Sequence, residues 1–151
     1  MKIAVFPGSF DPITRGHESI VNRASDLFDI IYVAIGVNAQ KSYLFPLEKR
    51  IRFIEATFKS NPKIKVVNYQ ELTVKLCQEL GAKYILRGLR NASDLDYEFP
   101  ISFANRIMDP SIESVFLATE PEFSAINSSI VRDIFKHGGD IKAFIPNGIE
   151  L

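Results

Sequence analysis

The sequence predicts an α/β fold, because two hydrophobic periodicities alternate along its 151 residues. Short continuous apolar runs, typical of buried strands, alternate with segments whose apolar residues recur every three or four positions, as along one side of a helix. This alternation is typical of βαβ units around a mostly parallel sheet. A chain of this length buries one hydrophobic core but is too short for two ordinary domains, so we expect residues 1–151 to form a single domain.

Five strands are predicted, each separated from the next by an amphipathic segment. They cover Ile3–Phe6, Ile30–Val37, Ile64–Val67, Tyr84–Leu86 and Val115–Ala118. A helical crossover between successive strands makes those strands parallel. We therefore expect a five-stranded parallel sheet flanked by helices, in the doubly wound arrangement of Rossmann-like domains.

Five helices are predicted between and after these strands. The first helix is expected to bury Ile20, Val21, Ala24, Leu27 and Phe28, and the others cover Leu47–Phe58, Thr73–Leu80, Ser93–Met108 and Ser128–His137. In the second helix the residues expected to point partly inward are Ile51, Ile54, Ala56 and Phe58. We expect Gly81 and the pair Gly138-Gly139 to end the third and fifth helices. Pro100 should kink the fourth, because proline removes a backbone N–H and crowds the preceding turn.

Charge and composition narrow the functional classes. The 18 basic and 18 acidic residues cancel, so the chain has no overall field that would direct it to nucleic acid or to an anionic membrane. No apolar run approaches the ~20 residues of a membrane span, and no basic and apolar leader precedes the first strand, so we expect a cytoplasmic protein. The single cysteine, Cys77, lies among apolar residues and is interpreted as a small buried hydrophobic residue.

The most informative segment runs from Pro7 to His17, where the first strand breaks into a glycine-bearing turn and then into the first helix. At such a junction the backbone N–H groups and the positive end of the helix dipole face a ligand. Ser9 and His17 both lie in this segment, and we expect the imidazole to face a phosphate. The alternative is an ordinary turn followed by a partly exposed histidine at the start of a helix.

Two groups of cations follow the second and fourth predicted strands. Lys41 lies in a polar loop, where a lysine is most often only solvated. The segment Arg87-Gly88-Leu89-Arg90 directly follows an apolar run, and arginines at the end of a buried strand need carboxylates or phosphates as partners. Asp94, Asp96 or Glu98 would meet part of that demand. A structural ion-pair network therefore stays open beside a phosphate site.

The last polar group, Asn127-Ser128-Ser129, opens the fifth helix. An N-cap uses one such side chain, and the remaining hydroxyl groups suit a phosphate. The sequence has no Walker lysine loop, no G-x-G-x-x-G fingerprint, no cysteine and histidine metal set, and no G-x-S-x-G around Ser9. We therefore expect a cationic, hydroxyl-lined pocket with no covalent nucleophile, whose substrates bring their own nucleophile.

These residues give the chain a resemblance, over essentially its whole length, to the bacterial phosphopantetheine adenylyltransferase family of the nucleotidyltransferase superfamily. The most specific pieces are Pro7-Gly8-Ser9-Phe10-Asp11-Pro12 with Gly16-His17, Arg87-Gly88-Leu89-Arg90 with Asp94 and Tyr97-Glu98, and Ile126-Asn127-Ser128-Ser129. The resemblance implies transfer of AMP from ATP to the phosphate of 4'-phosphopantetheine by direct in-line attack. The implied products are dephospho-coenzyme A and pyrophosphate, in the penultimate step of coenzyme A biosynthesis.

The same resemblance implies roles for individual residues. The implied catalytic residues are His17, Lys41 and Arg90. The implied ATP site consists of Ser9, Phe10, His17, Gly88, Leu89, Arg90, Glu98, Phe123, Ser124, Ala125, Ile126, Asn127, Ser128 and Ser129. The implied phosphopantetheine site consists of Ser9, Lys41, Thr73 and Arg87. Asn127 stands where the family usually has serine.

The resemblance also implies a cofactor and an assembly. Mg²⁺ is expected to be held mainly by the ATP phosphates and water, with no metal site made by the protein. A homohexamer is expected, as is coenzyme A acting as a feedback inhibitor. Two other functions stay open, namely another small nucleotidyltransferase that acts on nicotinamide mononucleotide and a nucleotide-binding sensor without turnover. A purely structural domain would have to place all these polar groups at one sheet edge by coincidence.

Overall fold

A computed structural model describes residues 1–151 and contains five strands and five α-helices in strict alternation. The strands are β1 (Ile3–Gly8), β2 (Ile30–Gly36), β3 (Ile64–Tyr69), β4 (Tyr84–Leu89) and β5 (Glu113–Ala118). The helices are α1 (Arg15–Ala24), α2 (Leu47–Phe58), α3 (Thr73–Leu80), α4 (Ala92–Met108) and α5 (Ser128–Lys136), with a short 3₁₀ helix at Pro121–Phe123. The predicted fold class is therefore confirmed.

The five strands form one parallel sheet in the order β3-β2-β1-β4-β5. The chain adds strands from β1 outward to β3, then crosses back and places β4 on the other side of β1. The strand order therefore reverses between β1 and β4, and a doubly wound sheet opens a crevice at the carboxyl ends of the strands at such a point. Here those ends are Gly8 and Leu89.

The sheet is buried on both faces, as its continuous apolar strands require. Ala4 and Phe6 of β1 belong to the larger apolar cluster, which also contains the inward faces of α1 and α2. Val5 faces the opposite side and packs with Cys77 of α3. The thiol is completely buried, and burial raises its pKa to about 11. Cys77 is thus an inert part of the core, as the sequence indicates.

Two details of the predicted helix faces are wrong. α1 ends at Ala24, because the Ser25 hydroxyl donates to the Asn22 carbonyl and the chain turns there. Leu27 is consequently exposed, whereas Phe28 is buried by the segment that leads into β2. In α2, Ala56 is exposed, since the buried face consists of Arg50, Phe53, Ile54 and Phe58. A residue at position 56 falls on the opposite side of that helix.

The other predicted boundaries lie within a few residues of the structure. α2 and α3 match, and Gly81 ends α3 in the left-handed conformation with φ 68°. α4 begins one residue earlier than predicted, and Asn91 caps it by accepting a hydrogen bond from the Asp94 N–H. α5 ends at Lys136. The kink at Pro100 stays a prediction.

α4 differs from the other helices because its one buried residue, Glu98, is charged and none of its apolar residues is buried. The large apolar side chains that it leaves exposed are Tyr97, Phe99, Ile101, Phe103, Ile107 and Met108. None of the helices combines the length and the apolar composition that crossing a membrane requires.

Candidate active site

Two adjoining cavities open at the carboxyl ends of β1 and β4. The first, of about 250 Å³, is called the histidine cavity, and its lining includes Thr14, Gly16, His17, Ile20, Arg87, Gly88, Arg90, Asp94, Glu98, Thr119, Phe123, Ile126, Asn127 and Ser128. The second, of about 220 Å³, is called the serine cavity, and its lining includes Ser9, Thr73, Ile85, Arg87, Tyr97, Glu98, Ile101, Ser102, Asn105, Ser114 and Phe116. Pro7, Gly8, Arg87 and Glu98 line both cavities and form their common wall.

The sharp turn between β1 and α1 shapes this wall. Phe10 adopts φ 47°, and the peptide bond between Asp11 and Pro12 is cis. The Phe10 side chain is buried, and its ring packs edge-on against His17 with 5.0 Å between centroids. A buried ring leaves only the backbone of Phe10 for contact with a ligand. The predicted role of Phe10 in binding ATP therefore depends on its backbone.

His17 is held at the start of α1 by a reciprocal cap. The Thr14 N–H donates to Nδ1 of His17 at 3.0 Å. In return, the His17 N–H donates to the Thr14 hydroxyl oxygen at 3.4 Å. A nitrogen that accepts from a backbone N–H carries no proton, so the neutral ring carries its proton on Nε2. The cap thus occupies Nδ1 and leaves Nε2 of His17 free to donate a hydrogen bond.

The surroundings of His17 also keep the ring neutral. Burial, and to a smaller extent the positive charges of Arg87 and Arg90, lower its pKa from 6.5 to about 4. The phenyl rings of Phe6 and Phe10 pack against the imidazole and exclude water from part of it. At neutral pH this residue therefore offers an anion a neutral N–H and not a positive charge. His17 is half-buried, as the alternative of a histidine at a helix start also expects, but its ring is fixed by Thr14 and packed against two phenyl rings.

This depressed pKa predicts a pH dependence that NMR can measure. In the free protein the ring resonances of His17 should not titrate between about pH 5.5 and 8. The imidazole of His17 takes up a proton near pH 6.5 in the unfolded chain but only near pH 4 in the folded chain. His17 should therefore lower the free energy of unfolding as the pH falls from 6.5 to about 4, because protons then bind preferentially to the unfolded chain. The spectrum of His17→Gln assigns the signals, because the chain has 2 histidines. A midpoint near pH 6.5 for His17 would contradict the structure.

Both arginines of the Arg87-Gly88-Leu89-Arg90 segment are paired with carboxylates. Nη2 and Nε of Arg87 donate to Oε1 of the buried Glu98 at 2.6 and 3.0 Å, and Nη1 donates to the Pro7 carbonyl. Arg90 binds Asp94 through its backbone N–H at 2.8 Å and through Nε at 3.1 Å. The ion-pair network that the sequence left open is therefore present, without Asp96. Each guanidinium still lines a cavity, so these pairs leave it accessible to an anion.

The serine cavity brings together three residues of the predicted acceptor site. Ser9 and Thr73 line it beside Arg87. The exposed Lys41 does not line either of the two cavities, but its Nζ donates to Oγ of Ser9 at 3.3 Å and thereby reaches the edge of the serine cavity. The Thr73 hydroxyl lies 2.9 Å from the Tyr69 hydroxyl.

The start of α5 closes the other side of the histidine cavity. Asn127 is the N-cap and accepts from the Ile130 N–H at 2.9 Å, as one member of this group was expected to do. The Ser128 hydroxyl donates to the Pro12 carbonyl at 3.0 Å, and the exposed Ser129 hydroxyl accepts from Arg132 at 3.1 Å. The predicted site residues that line neither of these two cavities are Phe10, Leu89, Lys41, Ser124, Ala125 and Ser129.

Some residues of the site are not predicted from the sequence. Thr14, which fixes the His17 ring, is part of a capping box in which histidine stands in place of the usual glutamate. A threonine by itself does not suggest a ligand site. Gly88, which the family resemblance places in the ATP site, lies so close to α1 that a Cβ at this position would be 3.0 Å from Cγ1 of Ile20.

Together, the doubly wound sheet, the capped histidine at the first helix start and the hydroxyl-bearing start of α5 define the chain as a nucleotidyltransferase. The family model described as cytidylyltransferase-like matches residues 5–134, so the chain belongs to that family. Within it, the chain belongs to the phosphopantetheine adenylyltransferase family. It is 50% identical over 151 residues to the phosphopantetheine adenylyltransferase of Flavobacterium psychrophilum, a match that covers 100% of this chain and 99% of the relative.

Other relatives agree with this assignment. The phosphopantetheine adenylyltransferase of Lachnoclostridium phytofermentans is 42% identical over 149 residues, which cover 99% of this chain and 91% of the relative. A crystal structure of a protein from Vibrio parahaemolyticus, described as a nicotinate-nucleotide adenylyltransferase, superposes with a TM-score of 0.71 at 20% identity and covers 96% of this chain and 94% of that one. That structure supports the fold alone.

Proposed function

We propose that this protein transfers AMP from ATP to the phosphate of 4'-phosphopantetheine and releases dephospho-coenzyme A and pyrophosphate, the penultimate step of coenzyme A biosynthesis. The observation that carries the proposal is the whole-length similarity to relatives with this activity in their name, at 50 and 51% identity for two Flavobacterium proteins. The geometry supports it, since two substrates need two cavities that meet. Those cavities share the wall formed by Arg87 and Glu98.

The reaction needs little chemistry from the protein. A phosphate monoester is largely a dianion at neutral pH, because its second pKa is near ~6, and its oxygen therefore attacks without a general base. That oxygen forms a bond to the α-phosphorus of ATP while the bond from this phosphorus to the β-phosphate oxygen breaks, and pyrophosphate leaves with the electron pair. Catalysis then consists of holding two anions in line and stabilising the charge that develops.

ATP is assigned to the histidine cavity. The Nε2 proton of His17 contacts the α-phosphate, and Arg90 provides positive charge on the same wall. The β- and γ-phosphates lie at the start of α5, where the backbone N–H groups of Ser128 and Ser129 and the helix dipole favour anions. Phe123 and Ile126 line the same cavity and offer apolar contact to the base.

The acceptor is assigned to the serine cavity. Its phosphate lies against Ser9 and the cations Lys41 and Arg87, and its arm extends past Thr73. Glu98 and the Pro7 carbonyl hold the Arg87 guanidinium in the common wall, where it faces both phosphates. The acceptor phosphate is thereby placed beside the α-phosphate.

Mg²⁺ belongs to the nucleotide in this proposal. The structure contains no group of three or more His, Cys, Asp or Glu side chains that would hold a metal ion. The two carboxylates of the histidine cavity, Asp94 and Glu98, are both engaged by arginines. We therefore assign Mg²⁺ to phosphate oxygens and water, where it would neutralise charge on ATP.

The direct test is pyrophosphate release by the purified protein with ATP and Mg²⁺, with and without 4'-phosphopantetheine. Release that requires this acceptor supports the proposal, and release with nicotinamide mononucleotide instead would replace it. If the protein binds ATP but releases no pyrophosphate with any acceptor, a nucleotide sensor is favoured. Coenzyme A added to the same assay tests feedback inhibition.

The exposed apolar face of α4 supports a homo-oligomer, for which the family resemblance implies a hexamer. Phe103 is 61% and Ile107 83% exposed, and an apolar helix face of this kind is typically covered by a partner. We expect light scattering to give a hexamer mass for the native chain and Phe103→Glu to reduce it, because a charge would be buried in the contact. Lys59→Glu on an exposed part of the surface is the control. A concentration-independent monomer would contradict the assembly.

A further inference from the structure

The loop between β2 and α2, residues 37–46, contains Lys41 and is anchored to the turn that contains Ser9. The carboxylate of Asp11 accepts hydrogen bonds from the Leu44 N–H at 2.7 Å and from the Phe45 N–H at 2.9 Å. Asp11 is itself buried, with 2% exposure. One buried carboxylate therefore joins two segments that are more than thirty residues apart in sequence.

Arg50 of α2 joins the same two segments a second time. Its Nε donates to the Phe45 carbonyl at 3.0 Å, and its Nη1 donates to the Ser9 carbonyl at 2.9 Å. Its Cζ atom lies 4.0 Å from the centre of the Tyr43 ring. The side chain is 2% exposed and has no carboxylate partner, since the ion pairs of the structure involve other residues.

A buried cation with only carbonyl and ring partners is a costly way to fill space. An apolar side chain of similar volume would pack there without the desolvation cost. What an apolar residue does not provide is the planar fork of donors that fixes two carbonyl groups at a set separation, and lysine does not provide it either. The arrangement therefore points to a requirement for geometry.

The side chains that Arg50 brings into position meet at the edge of the serine cavity. Nζ of Lys41 donates to Oγ of Ser9 at 3.3 Å and lies 5.7 Å from the centre of the Tyr43 ring. The Tyr43 hydroxyl in turn accepts from the Asn38 N–H at 3.0 Å at the base of the loop. The exposed part of the loop with Lys41 is thus held on a frame that Arg50 and Asp11 make rigid.

We propose that Arg50, together with Asp11, is a positioning residue for the acceptor phosphate. It touches no substrate and acts by fixing Ser9 and Lys41 relative to each other. The inference rests on the proposed function, which places that phosphate at Ser9 and Lys41. The consequence is that the geometry of the acceptor site depends on a residue of the hydrophobic core.

The test is a double-mutant cycle of Arg50→Met and Lys41→Ala, measured by acceptor-dependent pyrophosphate release. Arg50→Met should raise the acceptor KM about 10-fold while the ATP KM changes less than about 2-fold, because only the acceptor side loses its geometry. In the Lys41→Ala background the same substitution should change the acceptor KM by less than about 2-fold, since residues that act through one another are not additive. Arg52→Met, at an exposed position on the same helix, is the matched control.

Arg50→Lys keeps the charge and loses the fork, and it replaces Arg50→Met in the cycle if the latter does not fold. An unchanged acceptor KM in a folded variant would overturn the inference, as would an equal effect of the Arg50 substitution with and without Lys41. A rise in both Michaelis constants would indicate a general structural role and would overturn it as well. If the native protein shows no acceptor-dependent release, the proposed function itself fails and the inference falls with it.

Discussion

His17→Ala should reduce kcat by about 10²–10³-fold while the dissociation constant for ATP changes less than about 3-fold. The magnitude is that of removing one fixed donor that faces charge developing in the transition state. In the proposed arrangement ATP keeps its contacts at the start of α5 and with Arg90, which line the same cavity, so its binding should depend little on His17. Single-turnover kinetics and calorimetric titration with ATP provide the two measurements. Equal losses in turnover and in ATP affinity would contradict the assigned role.

Two further substitutions separate the functions of the two ring nitrogens. His17→Asn places an acceptor near the Nδ1 position and preserves the cap with Thr14, but it provides nothing at Nε2. His17→Gln reaches the Nε2 position with a neutral N–H donor. Because the structure makes His17 a neutral donor, Gln should recover part of kcat and Asn should not. His137→Ala, which changes the exposed second histidine, should leave kcat unchanged.

The fold follows from the sequence because its signals are local and repeated. Each strand is a continuous apolar run and each helix has an apolar stripe, so the order of elements and the five-stranded sheet are predicted. The boundary of α1 is missed because apolar spacing alone continues through Leu27 and Phe28, whereas the chain actually turns at Ser25. A short side-chain bond to a backbone carbonyl decides that point, and periodicity does not reveal it.

Part of the candidate site is also predicted, because the order of the strands follows from these local signals. Parallel strands bring the segments after them to one edge, so the meeting of His17, Arg87 and Ser128 at one cavity is expected from topology. The choice of Glu98 over Asp96 as the partner of Arg87 depends on which side of α4 faces the sheet, and the sequence leaves it open. Arg50 is missed because an arginine within a helix resembles a solvated surface residue. Buried cations with backbone partners leave no motif.

Arg87→Met should raise the acceptor KM by about 10–100-fold and should also destabilise the protein. The first effect is expected because the counter-charge that we propose for the acceptor phosphate is lost from the common wall. The second arises because the Glu98 carboxylate, with 8% of its side chain exposed, loses its only charged partner. Leaving such a buried group unpaired costs about 1–3 kcal/mol. Denaturant unfolding and acceptor kinetics measure the two effects on the same sample.

The double variant Arg87→Met with Glu98→Gln separates the two effects. Removing the charge of Glu98 should restore much of the free energy of unfolding, because no unpaired carboxylate is then buried. The acceptor KM should stay high, since the positive charge is still missing. Arg106→Met is the matched control, because Arg106 pairs with Glu113 at 2.8 Å but both side chains are more than half exposed, so its loss should cost less than about 1 kcal/mol. Recovery of the acceptor KM together with stability would mean that Arg87 only supports the fold and does not bind the acceptor.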